Sequence, residues 1–342
     1  MFKNSILLFT CCLTILVSCT DDREISQSGN LVPQTVVEDL NLPSITINGA
    51  KLHAQAFGPA DSTLVIVLHG GPGANFKYML NCISLADKGY RVVFYDQIGS
   101  GLSQRFPRSY YLNFGEAAVE KVFYDELTGV INYYKKQPDQ KVVLLTQSWG
   151  SMLGTGYAAK YPDKVDGLIL AEPGGLKWPD IIEYITKSRS FNVWSEELND
   201  ATYQDQFITG KTDDHAILDY KLAILSASNT IVGDIQSTLG PNSIYYKSVR
   251  DGAVIASVML EIGEKYQSDF SSGISQFQKN VIFFYSSNNT AYPDSWAQKI
   301  SAIYPQKEVV KVNGVGHSGM FDQLETWRTI TEPKVIKYLN SL

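Results

Sequence analysis

The feature that most restricts the fold of this chain is a series of short apolar runs, each about five residues long and separated by stretches of helical spacing. Leu64–Leu68, Arg91–Tyr95, Lys141–Leu145 and Gly167–Leu170 come first, and Val281–Tyr285 and Glu308–Val312 follow after a long gap. Runs this short and mostly apolar suit strands covered on both faces, and the helices between them supply the crossovers of a parallel sheet. Ahead of them, Ile45–Ile47 and Leu52–Ala56 flank Asn48-Gly49, a dipeptide that favours a two-residue hairpin turn. Residues 116–136 carry the clearest helical pattern, and Trp149–Tyr161 reads as the helix after the third parallel run. With 44% hydrophobic and 12% aromatic residues, the 342-residue chain has the material for a large buried core. Between about Gly174 and Gly273 the rhythm breaks into helical patches with many polar residues. This predicts an α/β core over 44–173 and 274–342. A helical cap over 174–273, inserted between the sixth and seventh strands, would lie above the C-terminal edge of the sheet.

The run Val143 to Ser151, VLLTQSWGS, reads as a strand, a sharp turn and the start of a helix. It is close to G-x-S-x-G, the turn that exposes a nucleophilic serine at a sheet edge. Thr146 departs from that pattern, because it stands where the first glycine is expected and is bulkier. The alternative reading of Ser148 is a helix-capping serine. Two further segments favour the nucleophile. His69-Gly70-Gly71-Pro72-Gly73 directly follows a buried run, and such a loop can turn the Gly71 N–H, together with that of Trp149, toward an oxyanion. His317 follows the last run within Gly314-Val315-Gly316-His317-Ser318. Of the four histidines, His53 falls in the hairpin, His69 in the glycine loop and His215 in the cap, which leaves His317 as the candidate general base.

These segments resemble the α/β-hydrolase fold and, within it, the prolyl iminopeptidase-like group. The group's three signatures are matched in order by HGGPG at 69–73, DQIGSGLS at 96–103 and SWGS at 148–151. The resemblance covers about residues 44–172 and 275–342, and the cap matches only in position and size. It implies removal of an N-terminal residue, often proline, from short peptides. Related members hydrolyse other amides, esters or lactones.

The resemblance also exposes a gap. The family order is Ser, then Asp or Glu, then His, with the acid usually a few residues beyond the strand that follows the cap. Aligned through Pro293, that position is Asn289, which can orient an imidazole but cannot balance an imidazolium charge. Glu172, at the end of Gly167–Leu170, matches the acid position of many haloalkane dehalogenases of the same fold. Glu172 is the leading candidate, with Asn289 as an orienting residue and Asp294 as the alternatives. An aminopeptidase also needs a carboxylate for the substrate amine, which in this family comes from the cap. Glu183, Glu196, Glu197 and Asp200 are early cap acids, and Glu196 and Glu197 are the pair to test.

Near the N-terminus, Lys3 precedes the apolar run Ile6–Val17, too short to span a membrane and laid out like a secretory signal. It ends in Leu16-Val17-Ser18-Cys19, which looks like the lipobox of bacterial lipoproteins. The expectation is a signal peptide over 1–18, lipidation at Cys19, a flexible tether over 19–43, and a place in a bacterial cell envelope. Cys82 is then the one cysteine left in the mature body, which precludes an intramolecular disulfide. The net charge of −6 disfavours nucleic acid as a partner. It falls wholly between Gly174 and Ser272, where 14 Asp and Glu face 8 Lys and Arg. An acidic lid would favour substrates with a cationic end. No metal-ligand cluster or cofactor motif is visible, so none is expected. The sequence therefore predicts a serine hydrolase, first an aminopeptidase, with an esterase, lactonase or other amidase as the alternative. A catalytically inactive hydrolase-fold lipoprotein that binds a ligand is the rival from another class.

Overall fold

The computed structural model describes residues 32–188, 215–227 and 250–342. Cys19, Glu196, Glu197 and Asp200 lie outside them. Eight strands form one sheet in the order β1-β2-β4-β3-β5-β6-β7-β8. They are β1 (Ser44–Ile47), β2 (Ala50–Phe57), β3 (Leu64–Leu68), β4 (Arg91–Tyr95), β5 (Val142–Gln147), β6 (Gly167–Ala171), β7 (Val281–Ser286) and β8 (Lys307–Val312). β1 and β2 form the antiparallel hairpin, β2 pairs antiparallel with β4, and the rest of the sheet is parallel. Asn48 and Gly49, both at positive φ (50° and 83°), make its turn, as the sequence predicts. β3, β5, β6 and β7 are buried along their whole length, because helices cover both faces of the sheet.

The helices used below are α1 (Asp125–Tyr134), α2 (Trp149–Lys160), α3 (Trp178–Ser188), α4 (His215–Ala227), α5 (Ala253–Tyr266) and α6 (Asp294–Ser301). The helical segment ahead of α1 is not uniform: Val119–Tyr124 is a π-turn. It carries the consecutive buried residues Val122, Phe123 and Tyr124, and a widened turn presents such a run to the core better than regular α spacing does. α3, α4 and α5 belong to the segment between β6 and β7, where the cap is expected.

The stretch read as a tether does not hang free from Val32 on. Val36 is fully buried, its N–H donates to the Leu102 carbonyl, and Arg250 donates to the Pro33 carbonyl and the Glu38 carboxylate. One apolar side chain and one arginine distant in sequence dock the segment, and its polar composition does not reveal that.

Candidate active site

The parallel register brings the C-terminal ends of the strands to one height. Leu68 pairs with Thr146, Gln147 with Ala171, Ala171 with Phe284, and Ser286 with Val312. The segments after β3, β5, β6, β7 and β8 therefore converge on one edge, where open α/β sheets bind ligands.

Ser148 occupies the turn between β5 and α2 at φ 53° and ψ −118°, a backbone state that costs about 1–3 kcal/mol for a residue with a side chain. Its N–H donates to the Ala171 carbonyl, and its own carbonyl accepts from Ser151 and Met152 to start the helix. Gly150 is required there, because a Cβ would lie 2.2 Å from the Leu68 carbonyl oxygen. Thr146 fits without the glycine of the usual pattern. Its hydroxyl donates to the Ile169 carbonyl at 2.9 Å and pairs with Ser151 Oγ at 2.8 Å, and its methyl faces Gly154, where a Cβ would stand 3.1 Å away. The bulk is taken up one helical turn along α2.

The three signature segments are wired to one another. Gln97 donates its N–H to His69 Nε2 and its side-chain amide to the His69 carbonyl, and it accepts from the Trp149 indole at 2.9 Å. His69 Nδ1–H donates to the Gly70 carbonyl at 2.7 Å, so both ring nitrogens are committed and the ring is the neutral Nδ1–H tautomer. Burial holds its pKa below the ordinary histidine value. His69 is thus scaffolding for the glycine loop. Asp96 accepts from His53, from the Phe76 N–H and from the Leu102 N–H. Burial alone would raise its pKa, but these bonds, that from His53 first, outweigh it and hold the pKa below the usual carboxylate value. Gly71, at φ 128°, could not carry a side chain, because a Cβ would fall 2.5 Å from the Gly73 nitrogen. Gly71, Ser148 and Trp149 line one cavity, and Trp149 supplies the first N–H of α2, one of those a helix leaves without an internal acceptor.

His317 lies in the loop after β8, and this loop rests on the elbow: Gln147 donates its side-chain amide to the His317 carbonyl at 3.3 Å. His317 Nδ1 is 2.6 Å from Glu172 Oε2. Glu172 follows β6 at φ 43° and is fully buried. Its other oxygen accepts from the Ser286 N–H and the Ser286 hydroxyl, both at 2.6 Å, and Oε2 also accepts from Asn289 Nδ2 at 2.7 Å. Four donors surround one buried carboxylate, the arrangement that lets such a group keep its charge. The Tyr184 hydroxyl, from α3, lies 3.4 Å from His317 Nδ1 and 3.3 Å from Asn289 Nδ2.

The two alternatives for the acid position take other parts. Asp294 heads α6 at the surface and pairs with Lys311 at 2.6 Å, which turns it away from His317. Asn289 does not orient the imidazole directly, because its amide nitrogen is used by Glu172 and Tyr184 and its oxygen accepts from the Ala291 N–H. Several cap acids among the described residues sit in ion pairs. Asp180 and Glu183 pair with Lys299, Glu261 with Arg108, and buried Asp219 with Arg105 and Arg250. These four acids are matched by cations and do not line the cavity. Glu196 and Glu197, the residues predicted to bind an amine, lie outside the described residues. Among the described residues no cluster of His, Cys, Asp and Glu could hold a metal ion. Ser286 and Tyr184 were not legible as site residues, since a strand-end serine and a helix tyrosine carry no motif.

A family model described as the alpha/beta hydrolase fold matches residues 63–217. The chain is 36% identical over 117 residues to a proline iminopeptidase of Thermoplasma volcanium, a match covering 33% of this chain and 34% of the relative. It is 30% identical over 147 residues to a cis-3-alkyl-4-alkyloxetan-2-one decarboxylase of Shewanella oneidensis, covering 43% of this chain and 42% of the relative. The matches thus span less than half the length of either relative. A crystal structure of a haloalkane dehalogenase variant from Bradyrhizobium elkanii superposes with a TM-score of 0.60 at 16% identity, over 87% of this chain and 97% of that one. The chain has the α/β-hydrolase fold, and these relatives carry different chemistries on it.

Proposed function

We propose that the protein is a serine hydrolase in which Ser148, His317 and Glu172 act as one unit. The observation that carries this reading is the fully buried Glu172 carboxylate held 2.6 Å from His317 Nδ1, on a loop that rests against the serine elbow. With Nδ1 tied to the carboxylate, Nε2 is the nitrogen that takes the Ser148 proton. Ser148 Oγ then bonds to the substrate carbonyl carbon, and the Gly71 and Trp149 N–H groups stabilise the oxyanion. The imidazolium, stabilised by Glu172, returns its proton to the leaving alcohol or amine as the C–O or C–N bond breaks. Water then gives a proton to His317, attacks the acyl-serine and releases the acid, and the proton returns to Ser148. Thr146 and Asn289, the two departures from the family pattern, are accommodated locally by Gly154 and by Glu172. Labelling by a fluorophosphonate probe tests the reading: the native protein is expected to label and Ser148→Ala not to, and an unlabelled native protein would overturn it.

The finer reading, release of an N-terminal residue from short peptides, is supported by the likeness to the Thermoplasma volcanium enzyme and by the three signature segments. It requires an anchor for the substrate amine, and Glu196 and Glu197 remain its candidates. Attachment to a bacterial envelope through Cys19 belongs to the same set of proposals, and labelled palmitate incorporation, lost in Cys19→Ala, tests it.

A further inference from the structure

The cavity beside Ser148 is lined mainly by apolar residues. Val119, Met152, Trp178, Ile181, Met259 and Phe270 are among them, the hydroxyls of Tyr184, Ser188 and Ser268 are its other polar side chains, and no Asp, Glu, Lys, Arg or His is among the described residues that line it. Asp180, Asp219 and Glu261, on α3, α4 and α5, pair with Lys299, Arg105 and Arg108 and are not among its lining residues. An ammonium set against this wall would lose hydration, the described lining residues offer it no carboxylate in exchange, and buried unpaired charges are strongly disfavoured. An apolar acyl group would lose only unfavourable contact with water.

The size is set by a close contact within the cap. The Trp178 indole lies against bare backbone on α5, where a Cβ on Gly263 would fall 2.3 Å from Trp178 Cζ3. Trp178 is thereby drawn back onto α5, and the space left beside it is about 100 Å³. A cavity of roughly 150 Å³ takes benzene, so the acyl group that fits here is a little smaller than that.

Resting on the serine-hydrolase reading, and in place of its aminopeptidase refinement, we propose that the substrate's acyl part is a short, uncharged, apolar group, and that Trp178, seated on Gly263, sets its length. The reaction is R–CO–OR′ plus water giving R–COOH and R′–OH, with the acyl group carried on Ser148 Oγ between the two halves. The amide analogue releases an amine in place of the alcohol.

A matched pair tests the charge. Prolyl and cyclopentanecarbonyl aryl esters share a five-membered ring and differ by one ammonium. With kcat/KM divided by each ester's own alkaline hydrolysis rate, the cyclopentanecarbonyl ester is expected to lead by at least about tenfold, as the burial penalty requires. A lead for the prolyl ester would overturn the proposal. A series of straight-chain acyl esters tests the size: the native optimum should lie near four or five carbons, about the volume ratio above. Trp178→Ala should move it to longer chains, and Gly263→Ala, which presses the indole into the cavity, to shorter ones. An unchanged optimum in both variants would refute the role of Trp178. Fluorophosphonate labelling run beside these assays keeps the two levels apart. Labelling with a prolyl preference defeats only the acyl-group proposal, and absent labelling defeats the hydrolase reading beneath it.

Discussion

The two sides of Ser148 are built from opposite materials. On one side, Glu172, His317, Asn289 and Ser286 form a buried polar group in which the carboxylate is fully hydrogen-bonded. On the other side, the cap helices and the end of the π-turn segment present an apolar wall. The difference teaches what each side can do. The polar side manages charge, since it can balance an imidazolium that appears and vanishes in each half-reaction. The apolar side, among the described residues, offers charge no ionised partner, and on the acyl-group proposal it selects substrates by shape and by the cost of removing water. Another buried carboxylate, away from the site, shows how much such a group depends on its donors. Among the described residues Glu126 accepts only from the Ile98 N–H and its Oε1 has no partner, and burial drives its pKa well above the usual carboxylate value.

The comparison can be broken most sharply at the polar side. Ser148→Ala or His317→Ala should lower kcat by about 10³-fold or more, because the triad works as a unit, with KM for a neutral ester changed little. Asn289→Ala should lower kcat by roughly tenfold. It removes one of the carboxylate's donors and leaves the other three, and a hydrogen bond to a charged group is worth about 1.5–3 kcal/mol. Asn289→Asp should be worse than Asn289→Ala near neutral pH. It places two carboxylates where an amide now donates, and one of them must take up a proton.

The seam between the two sides gives a stability test. Asp251, just ahead of α5, accepts from Asn75 at the end of the glycine loop, and Gly252 N–H donates to the Gly73 carbonyl. Burial raises the Asp251 pKa from 3.8 to about 6. A carboxyl whose folded pKa is raised binds its proton more tightly in the native state. Its contribution therefore favours folding below about pH 4 and is lost as the pH rises to about 6, leaving a penalty of about 3 kcal/mol at neutral pH. Asp251→Asn should raise Tm at pH 7 and flatten the pH dependence of stability between about 4 and 6. The smallest effect is expected at Asp294, where Asp294→Asn breaks a surface pair with Lys311 and should leave kcat/KM unchanged.

The parts of this arrangement that the sequence exposes are local ones. Short apolar runs disclose the strands, Asn48-Gly49 the hairpin, and the pattern around Ser148 the elbow. Glu172 became visible only by resemblance, because nothing in Leu-Ala-Glu-Pro distinguishes a buried acid from a loop carboxylate. The rest depends on register. Ser286 and Asn289 reach Glu172 because β6 and β7 end at one height, and Thr146 fits because Gly154 lies one turn into the next helix. Charge is a similar case. Counting acids locates the negative residues of the cap but not the partners of the described ones, and Arg105, Arg108 and Lys299 come from elements outside that segment.

The central claim is that Glu172 is the acid of the catalytic unit, and the most direct measurement is kcat/KM of Glu172→Gln against the native protein. Thermal unfolding of both proteins serves to separate catalysis from folding. The amide keeps the shape and loses the charge, so a fall of about 10²–10⁴-fold is expected, in line with loss of a triad acid. A folded Glu172→Gln protein with unchanged kcat/KM would contradict the account.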